Sequence, residues 1–413
     1  RGLGDVYKRQ DKIPLNELLS ALMLLGETVQ DIANSIVEKE SVTEEENRTS
    51  SNIFELGINI LRVHNDLHQD IMRLVNDPIL ILEGDAGVGK SHLMADTVQR
   101  RQKENLFSLF FLGQKFVTDE EPFTQIMRML SFSSSSEELL ETLEAKAEST
   151  GHRIIIFIDA INEGHGLAIW QSNIRSFIDK IRQHPWLGLV LSIRTSYQPA
   201  ILPWEEFGND YCVWARHYGF GANTQKAVQL YFKEYGILYP SVPLLNPEFK
   251  NPLFLHLFCE GMKNNGYKKI PDGVKGITSI MNLFFDGIEK SLRKAKHYSP
   301  SIKCVDKTVH KYIEFTAKEG RHEMPIDTAI EIFSDIYPRV FTEGELLDCL
   351  ISEGVFSKNV FYNTVDKYEE CIYFTYERFE NFLQAEYLID KLQFDDKALE
   401  EYVLTIKSPY IVG

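Results

Sequence analysis

The eight residues Gly84 to Ser91, GDAGVGKS, fit the spacing G-x-x-x-x-G-K-[ST] without deviation. Each fixed position has a chemical purpose. Gly84, Gly87 and Gly89 let the backbone turn tightly enough to aim N–H groups at phosphate oxygens, and a following helix adds its positive N-terminal end. Lys90 would reach the β and γ phosphates of a nucleotide, and the Ser91 hydroxyl would ligate Mg²⁺. Asp85, Ala86, Val88 and His92 complete the stretch that would wrap the phosphates. The indicated ligands are ATP or ADP with Mg²⁺.

A carboxylate follows 69 residues after Lys90 (159 − 90), where RIIIFIDAINEG puts Asp159 at the end of an apolar run. A buried parallel strand ending on Asp159, beside the strand that carries the loop, would hold Mg²⁺, commonly through water. The alternative is an Asp that caps a turn after a core strand. Many ATPases place a catalytic Glu directly after this Asp, but here that position is Ala160. Glu163 is then either the general base that orients the attacking water or a surface carboxylate at a helix start, and Asn162 is a polar aid to the Mg²⁺ shell. Arg194 closes a second apolar run, LGLVLSIR. It either points into the crevice at the carboxyl ends of the strands, where a guanidinium contacts a γ phosphate bidentately, or makes a salt bridge at the sheet edge.

The elements that must position these groups follow from the periodicity. Apolar runs at PILILEG, Leu106 to Phe116, RIIIFID, Leu187 to Ser196 and Asp210 to Tyr218 alternate with helical patterns. That alternation predicts βα units and a mainly parallel sheet with helices on both faces, over 67–217. Before it, 11–66 reads as an amphipathic helix carrying Leu18, Leu22, Leu25, Val29, Ile32 and Ile36, a solvated linker EKESVTEEENRTSSN, and a second helical pattern from Asn52 to Val75. After it, 218–298 is helical. Residues 299–393 read as helix, strand, polar turn, strand and amphipathic helix, the outline of a winged-helix domain. Residues 1–10 look like a translated sequencing adapter, 394–413 like the start of a helical repeat region, and the whole like a fragment.

Composition narrows the classes. The 413 residues carry 44 basic and 60 acidic side chains, a net charge of −16, which argues against a surface built to grip nucleic acid. Cys212, Cys259, Cys304, Cys349 and Cys371 form no C-x-x-C pair, the usage of a reducing cytoplasm. No run approaches membrane-spanning length. His64 and His68, at i and i+4, lack further metal ligands nearby and read as a solvated helix face. A GTPase is disfavoured by the lack of an N-K-x-D motif, and an ABC transporter ATPase by the lack of L-S-G-G-Q.

With these residues in hand, the chain over about 50–395 resembles the STAND class of P-loop NTPases, the group of NACHT and NB-ARC signalling ATPases, and most of all its bacterial antiviral AVAST type. The resemblance rests on GDAGVGKS, FIDAINE, LSIRTS, NPLFLHLFCEG (Asn251 to Gly261) and FTYERFENFLQAEYL (Phe374 to Leu388). It implies an α/β P-loop NTPase followed by a helical lid and a winged-helix domain that clamp ADP or ATP. It further implies slow hydrolysis, self-association on activation, and a protein trigger sensed by a C-terminal region outside this chain. Pro252 would lie near the base. The family's ADP-locking His would correspond to Tyr376, a phenol that donates one hydrogen bond but carries no positive charge at neutral pH. The alternatives weighed are a remodelling ATPase of the AAA+ kind and an ATP-dependent winged-helix DNA-binding regulator.

Overall fold

The computed structural model of the protein describes residues 12–38, 43–163, 166–239, 247–271, 274, 276–363 and 367–391. The expectations for the adapter-like 1–10 and for the repeat start at 394–413 lie outside the described residues. Two antiparallel helices come first, α1 (Leu15–Val37) and α2 (Glu44–Leu67). They approach closely because Gly26 packs against Ile60 and Gly57 against Val29. The stretch expected as a linker is mostly the start of α2. Thr43 and Glu46 form a reciprocal capping box that satisfies two otherwise orphaned N–H donors there, and that pulls the helix start back into the acidic run. The second helical pattern ends at Leu67, and Asp70–Val75 is a separate 3₁₀ turn.

The central layer contains β1 (Ile79–Gly84), α3 (Lys90–Lys103), β2 (Ser108–Leu112), α4 (Pro122–Met129), α5 (Ser136–Thr150) and β3 (Ile154–Asp159). It continues through α6 (Gly166–Arg182), β4 (Leu187–Arg194), the short α7 (Gln198–Ile201) and α8 (Trp204–Phe207), and β5 (Val213–Arg216). All five strands pair in parallel in the order β2-β3-β4-β1-β5. Side chains alternate between two faces, as the pleat requires. Ile79, Ile81, Ile156, Ile158, Leu189 and Leu191 join the core that includes α6 residues Trp170, Ile174 and Phe177. Leu82 and Phe157 pack with Met94 of α3 on the opposite face.

This order corrects one expectation. β3 does not lie beside the loop strand; β4 is inserted between them, with Gly84 in register with Arg194. Equal apolarity of the runs conceals the difference, because both strands are buried on two faces and carry no pairing signal.

The remaining chain forms α9 (Thr224–Tyr235), α10 (Pro252–Asn264), α11 (Gly276–Lys296), α12 (Cys304–Glu319), β6 (Met324–Pro325) and α13 (Ile326–Ser334). It closes with α14 (Glu345–Ser352), β7 (Phe356–Asn363), β8 (Lys367–Phe374) and α15 (Glu377–Lys391). β7 and β8 form the antiparallel wing, to which β6 adds a third strand. One apolar core runs without interruption from Val228 in α9 to Phe379 in α15. Helical lid and winged helix are therefore packed as one body, through contacts such as Phe254 with Phe379 and Phe285 with Phe379. Among the described residues no helix is long and apolar enough to cross a membrane.

A close backbone approach connects the sheet to its chemistry. Gly113, directly after β2, lies so near the Ala160 carbonyl that a Cβ would come within 2.0 Å of that oxygen. Substitution Gly113→Ala must push the two strand ends apart, and we expect a loss of about 2–3 kcal/mol of stability, read as a lower urea midpoint.

Candidate nucleotide site

A cavity of about 870 Å³ opens at the carboxyl ends of the strands, between the sheet and the lid and winged-helix body. Its floor is the glycine-rich loop. Gly87 (φ 74°) and Gly89 (φ 103°) take left-handed conformations that side chains resist, and α3 begins directly at Lys90. Ala86 through His92 all line the cavity, with Asp159, Glu163, Arg194 and Pro252. Gly84 and Asp85 form the root of the loop, where their carbonyl oxygens accept hydrogen bonds from Lys90 Nζ at 2.7 and 2.9 Å. Burial, and next the facing charge of Arg194, lowers the Lys90 pKa to about 8, with Asp159, Asp85 and Glu163 working the other way. Lys90 and Arg194 are both cationic groups of the cavity lining.

Asp159 is buried at the tip of β3. Ser192 Oγ, from the intervening β4, donates to Asp159 Oδ1 at 2.5 Å and accepts from Ala160 N–H at 2.7 Å. One serine thus sets the carboxylate and the sharp turn behind it. Asn162 does not face the cavity; its Oδ1 accepts from the backbone N–H of Arg194 at 3.1 Å and fixes the end of β4. Glu163 and Arg194 come together as a pair, Oε1 to Nη2 at 2.9 Å, so the two readings of each meet in one contact inside the cavity. The other arm of the guanidinium, Nη1, lies 3.3 Å from Glu377 Oε2 of α15. Burial works against the charge of Arg194, but Glu163 and then Glu377 hold its pKa above the ordinary guanidinium value.

The lid rests directly on the loop. Asn251 caps α10 by accepting from Leu253 and Phe254 N–H, while its side-chain amide donates to the Ala86 carbonyl at 2.9 Å. A Cβ on Gly87 would approach Leu253 to 2.9 Å. Pro252 is the first residue of α10 and lines the cavity wall. Tyr376 is not among the lining residues. It is buried between Phe254 and Phe379, and its hydroxyl faces Glu248 at 3.5 Å. Its neighbours Thr375 and Glu377, with Tyr373 and Ser357, supply the winged-helix side of the cavity. The chain turns from β8 into α15 here, and at that corner Tyr376 alone among residues 373–377 turns away from the cavity into the aromatic core.

Sequence reasoning missed several lining groups. His217, after β5, accepts from Gly219 N–H through Nδ1 at 3.0 Å, and burial, then Lys90, lowers its pKa. Phe220, Tyr231 and His256 also line the cavity. Ser192, which holds Asp159 from behind without lining the cavity, was detectable as a lone hydroxyl in an apolar strand, two residues before Arg194. The others are scattered along the lid and carry no motif.

Fold and loop together are those of a P-loop NTPase. Its residues fit ATP or ADP with Mg²⁺: the lining combines the glycine-rich loop and Lys90 for phosphates, aromatic side chains for a base, and two hard oxygen ligands, Ser91 and Asp159. Among the described residues there is no cluster of three or more His, Cys, Asp or Glu able to hold a metal ion. The His64–His68 pair, with ring centroids 5.8 Å apart, belongs to no such cluster.

No protein-family model matches the chain, and no curated protein matches it. Among solved structures, Cdc6p from Pyrobaculum aerophilum is 12% identical with a TM-score of 0.32, over 86% of this chain and 98% of that one. The replication initiator DnaA bound to AMPPCP and single-stranded DNA is 10% identical with a TM-score of 0.33, over 70% and 86%. The Aeropyrum pernix ORC1 protein in complex with DNA is 11% identical with a TM-score of 0.27, over 76% and 88%.

The state of Lys90 gives a pH dependence with a definite sign. A phosphate anion binds the ammonium form and raises its pKa, so binding takes up a proton near and above pH 8. Affinity for ADP should be full below pH 8 and about tenfold weaker at pH 9, as measured by calorimetric titration. A Lys90→Arg variant, charged throughout this range, should show a flat profile if it binds.

Proposed function

We propose that the protein is a Mg²⁺-dependent ATPase that works as a nucleotide-controlled switch. Nucleotide at the loop decides whether the lid and winged-helix body stays closed on the sheet. The observation that carries this reading is Arg194 held between Glu163 of the sheet and Glu377 of the winged helix. A group able to contact a γ phosphate is also one of the groups that tie the two bodies together. The domain limits read from the sequence, 67–217, 218–298 and 299–393, are part of this proposal. So is the STAND-type consequence that the opened form self-associates in response to a protein trigger. A setting in cytoplasmic antiphage defence rests on the sequence resemblance alone.

Lys90 would bind the β and γ phosphates, Ser91 and Asp159 would hold Mg²⁺, Arg194 would meet the γ phosphate, and Glu163 would orient water. Mg²⁺ supplies charge neutralisation between the phosphates when bound. DnaA and ORC1 carry DNA in the structures cited, but here the net charge of −16 weighs against a nucleic-acid role. DNA binding that weakens steeply with salt would support the winged-helix regulator instead.

Steady-state and single-turnover ATPase assays test the reading. The untriggered chain should turn over slowly and retain its nucleotide, whereas rapid steady-state turnover would favour a remodelling ATPase of the AAA+ kind. Glu163→Gln should reduce the single-turnover rate by about 10²-fold or more while sparing ATP binding; an unchanged rate rejects the base assignment.

A further inference from the structure

We infer that His217 is a further nucleotide-binding residue, which donates a hydrogen bond from Nε2 to a phosphate oxygen beside the glycine-rich loop. This rests on the cavity being a nucleotide site. His217 directly follows β5, and its backbone N–H donates to the Glu83 carbonyl at 2.7 Å, so the residue is tied to the strand that carries the loop. It lies against the loop at two points. A Cβ on Gly84 would come within 2.7 Å of the His217 carbonyl oxygen, and Cε1 of the ring is 3.9 Å from where a Cβ on Gly89 would stand. Gly89 is the N-cap of α3, and the first residues of that helix, Lys90 to His92, line the same cavity as His217. The free N–H groups of a helix start favour an anion.

The ring is held so that one particular nitrogen is left to donate. Gly219 N–H donates to Nδ1 at 3.0 Å, which makes Nδ1 the acceptor and puts the proton of a neutral imidazole on Nε2. Gly219 is itself wedged in place. It holds φ at 70°, and a Cβ there would come within 2.0 Å of the Lys250 carbonyl oxygen, which also accepts from Phe220 N–H at 2.8 Å. Among the described residues Nε2 has no hydrogen-bond partner. Burial, and then the charge of Lys90, lowers the His217 pKa and keeps the ring neutral at neutral pH. Nε2 is thus an uncharged donor beside Lys90, where a second cation would be repelled. It adds direction to an anion site whose charge Lys90 already supplies.

The test combines calorimetric titration of the full chain with Mg²⁺ and ADP and nitrogen NMR of the histidine rings, the His217 signal being the one that a substitution removes. His217→Phe, which keeps the ring and removes the donor, should weaken ADP binding about tenfold. His217→Gln, whose amide N–H reaches about as far as Nε2, should stay within about threefold of the wild type and carries the test if the Phe variant does not fold. In the wild-type spectrum the proton should sit on Nε2, and that signal should move on saturation with ADP but not with adenosine, which has no phosphate. Unchanged ADP binding in the Phe variant, a loss in the Gln variant as large as in the Phe variant, a proton on Nδ1, or an Nε2 signal indifferent to ADP would each overturn the inference and leave the nucleotide reading standing. Failure of folded wild-type protein to bind ADP would overturn both.

Discussion

One guanidinium, that of Arg194, holds the parts of the cavity in relation to each other. It stands at the end of β4, in register with Gly84 at the root of the loop, and Asn162 fixes its backbone. A largely buried cation needs compensating charge, and here Glu163 and Glu377 provide it from two different bodies. Lys90 solves the same problem by turning back onto the carbonyls of Gly84 and Asp85. These oxygens stand in for those of a phosphate. Under the proposed function a nucleotide would exchange these contacts for its own, and its effect on conformation could be no larger than the difference between the two sets.

The packing decides where that difference can act. Lid and winged helix share a core from Val228 to Phe379, while the sheet has cores of its own. Among the described residues these buried clusters do not join across the cavity. What crosses it is mostly polar: Asn251 to Ala86, Leu253 N–H to the Gly87 carbonyl at 3.3 Å, and Arg194 to Glu377. Swinging a two-state equilibrium from 1:99 to 99:1 takes roughly 5.5 kcal/mol. A few exchanged polar contacts supply an appreciable share of that, whereas separating an aromatic core would cost far more. A hinge at the nucleotide seam is therefore energetically reasonable in a way that a hinge inside the lid and winged-helix core is not.

Much of this was legible in the sequence, for physical reasons. The loop motif is dictated by phosphate geometry, and buried parallel strands announce themselves as short apolar runs, so β1, β3 and β4 and the ends carrying Asp159 and Arg194 could be located directly. Pairing order could not, because strands buried on both faces look alike. The start of α2 was written in the Thr43–Glu46 spacing but masked by the acidic run around it. Tyr376 and Glu377 differ by one position at a strand-to-helix corner, where no periodicity says which of two neighbours faces the cavity. Glu377 matters through a contact with Arg194, 183 residues away, and that distance hides it from any local pattern.

The residue after Asp159 shows how backbone geometry chooses the chemistry. Ala160 adopts a left-handed φ of 55°, which costs a non-glycine residue about 1–2 kcal/mol. Ser192 Oγ accepts its N–H, and Gly113 leaves room for its carbonyl, so the surroundings enforce the turn. The turn carries the chain away from the strand axis at once and brings the next carboxylate, Glu163, against Arg194. Under the proposed function this unites two tasks in one side chain, since Oε1 of Glu163 now accepts from Arg194. A water aligned through that oxygen must wait until the guanidinium turns to a γ phosphate. Under that proposal slow turnover in the closed form is the expected outcome, because the carboxylate that would orient water is engaged by the cation that must first let it go.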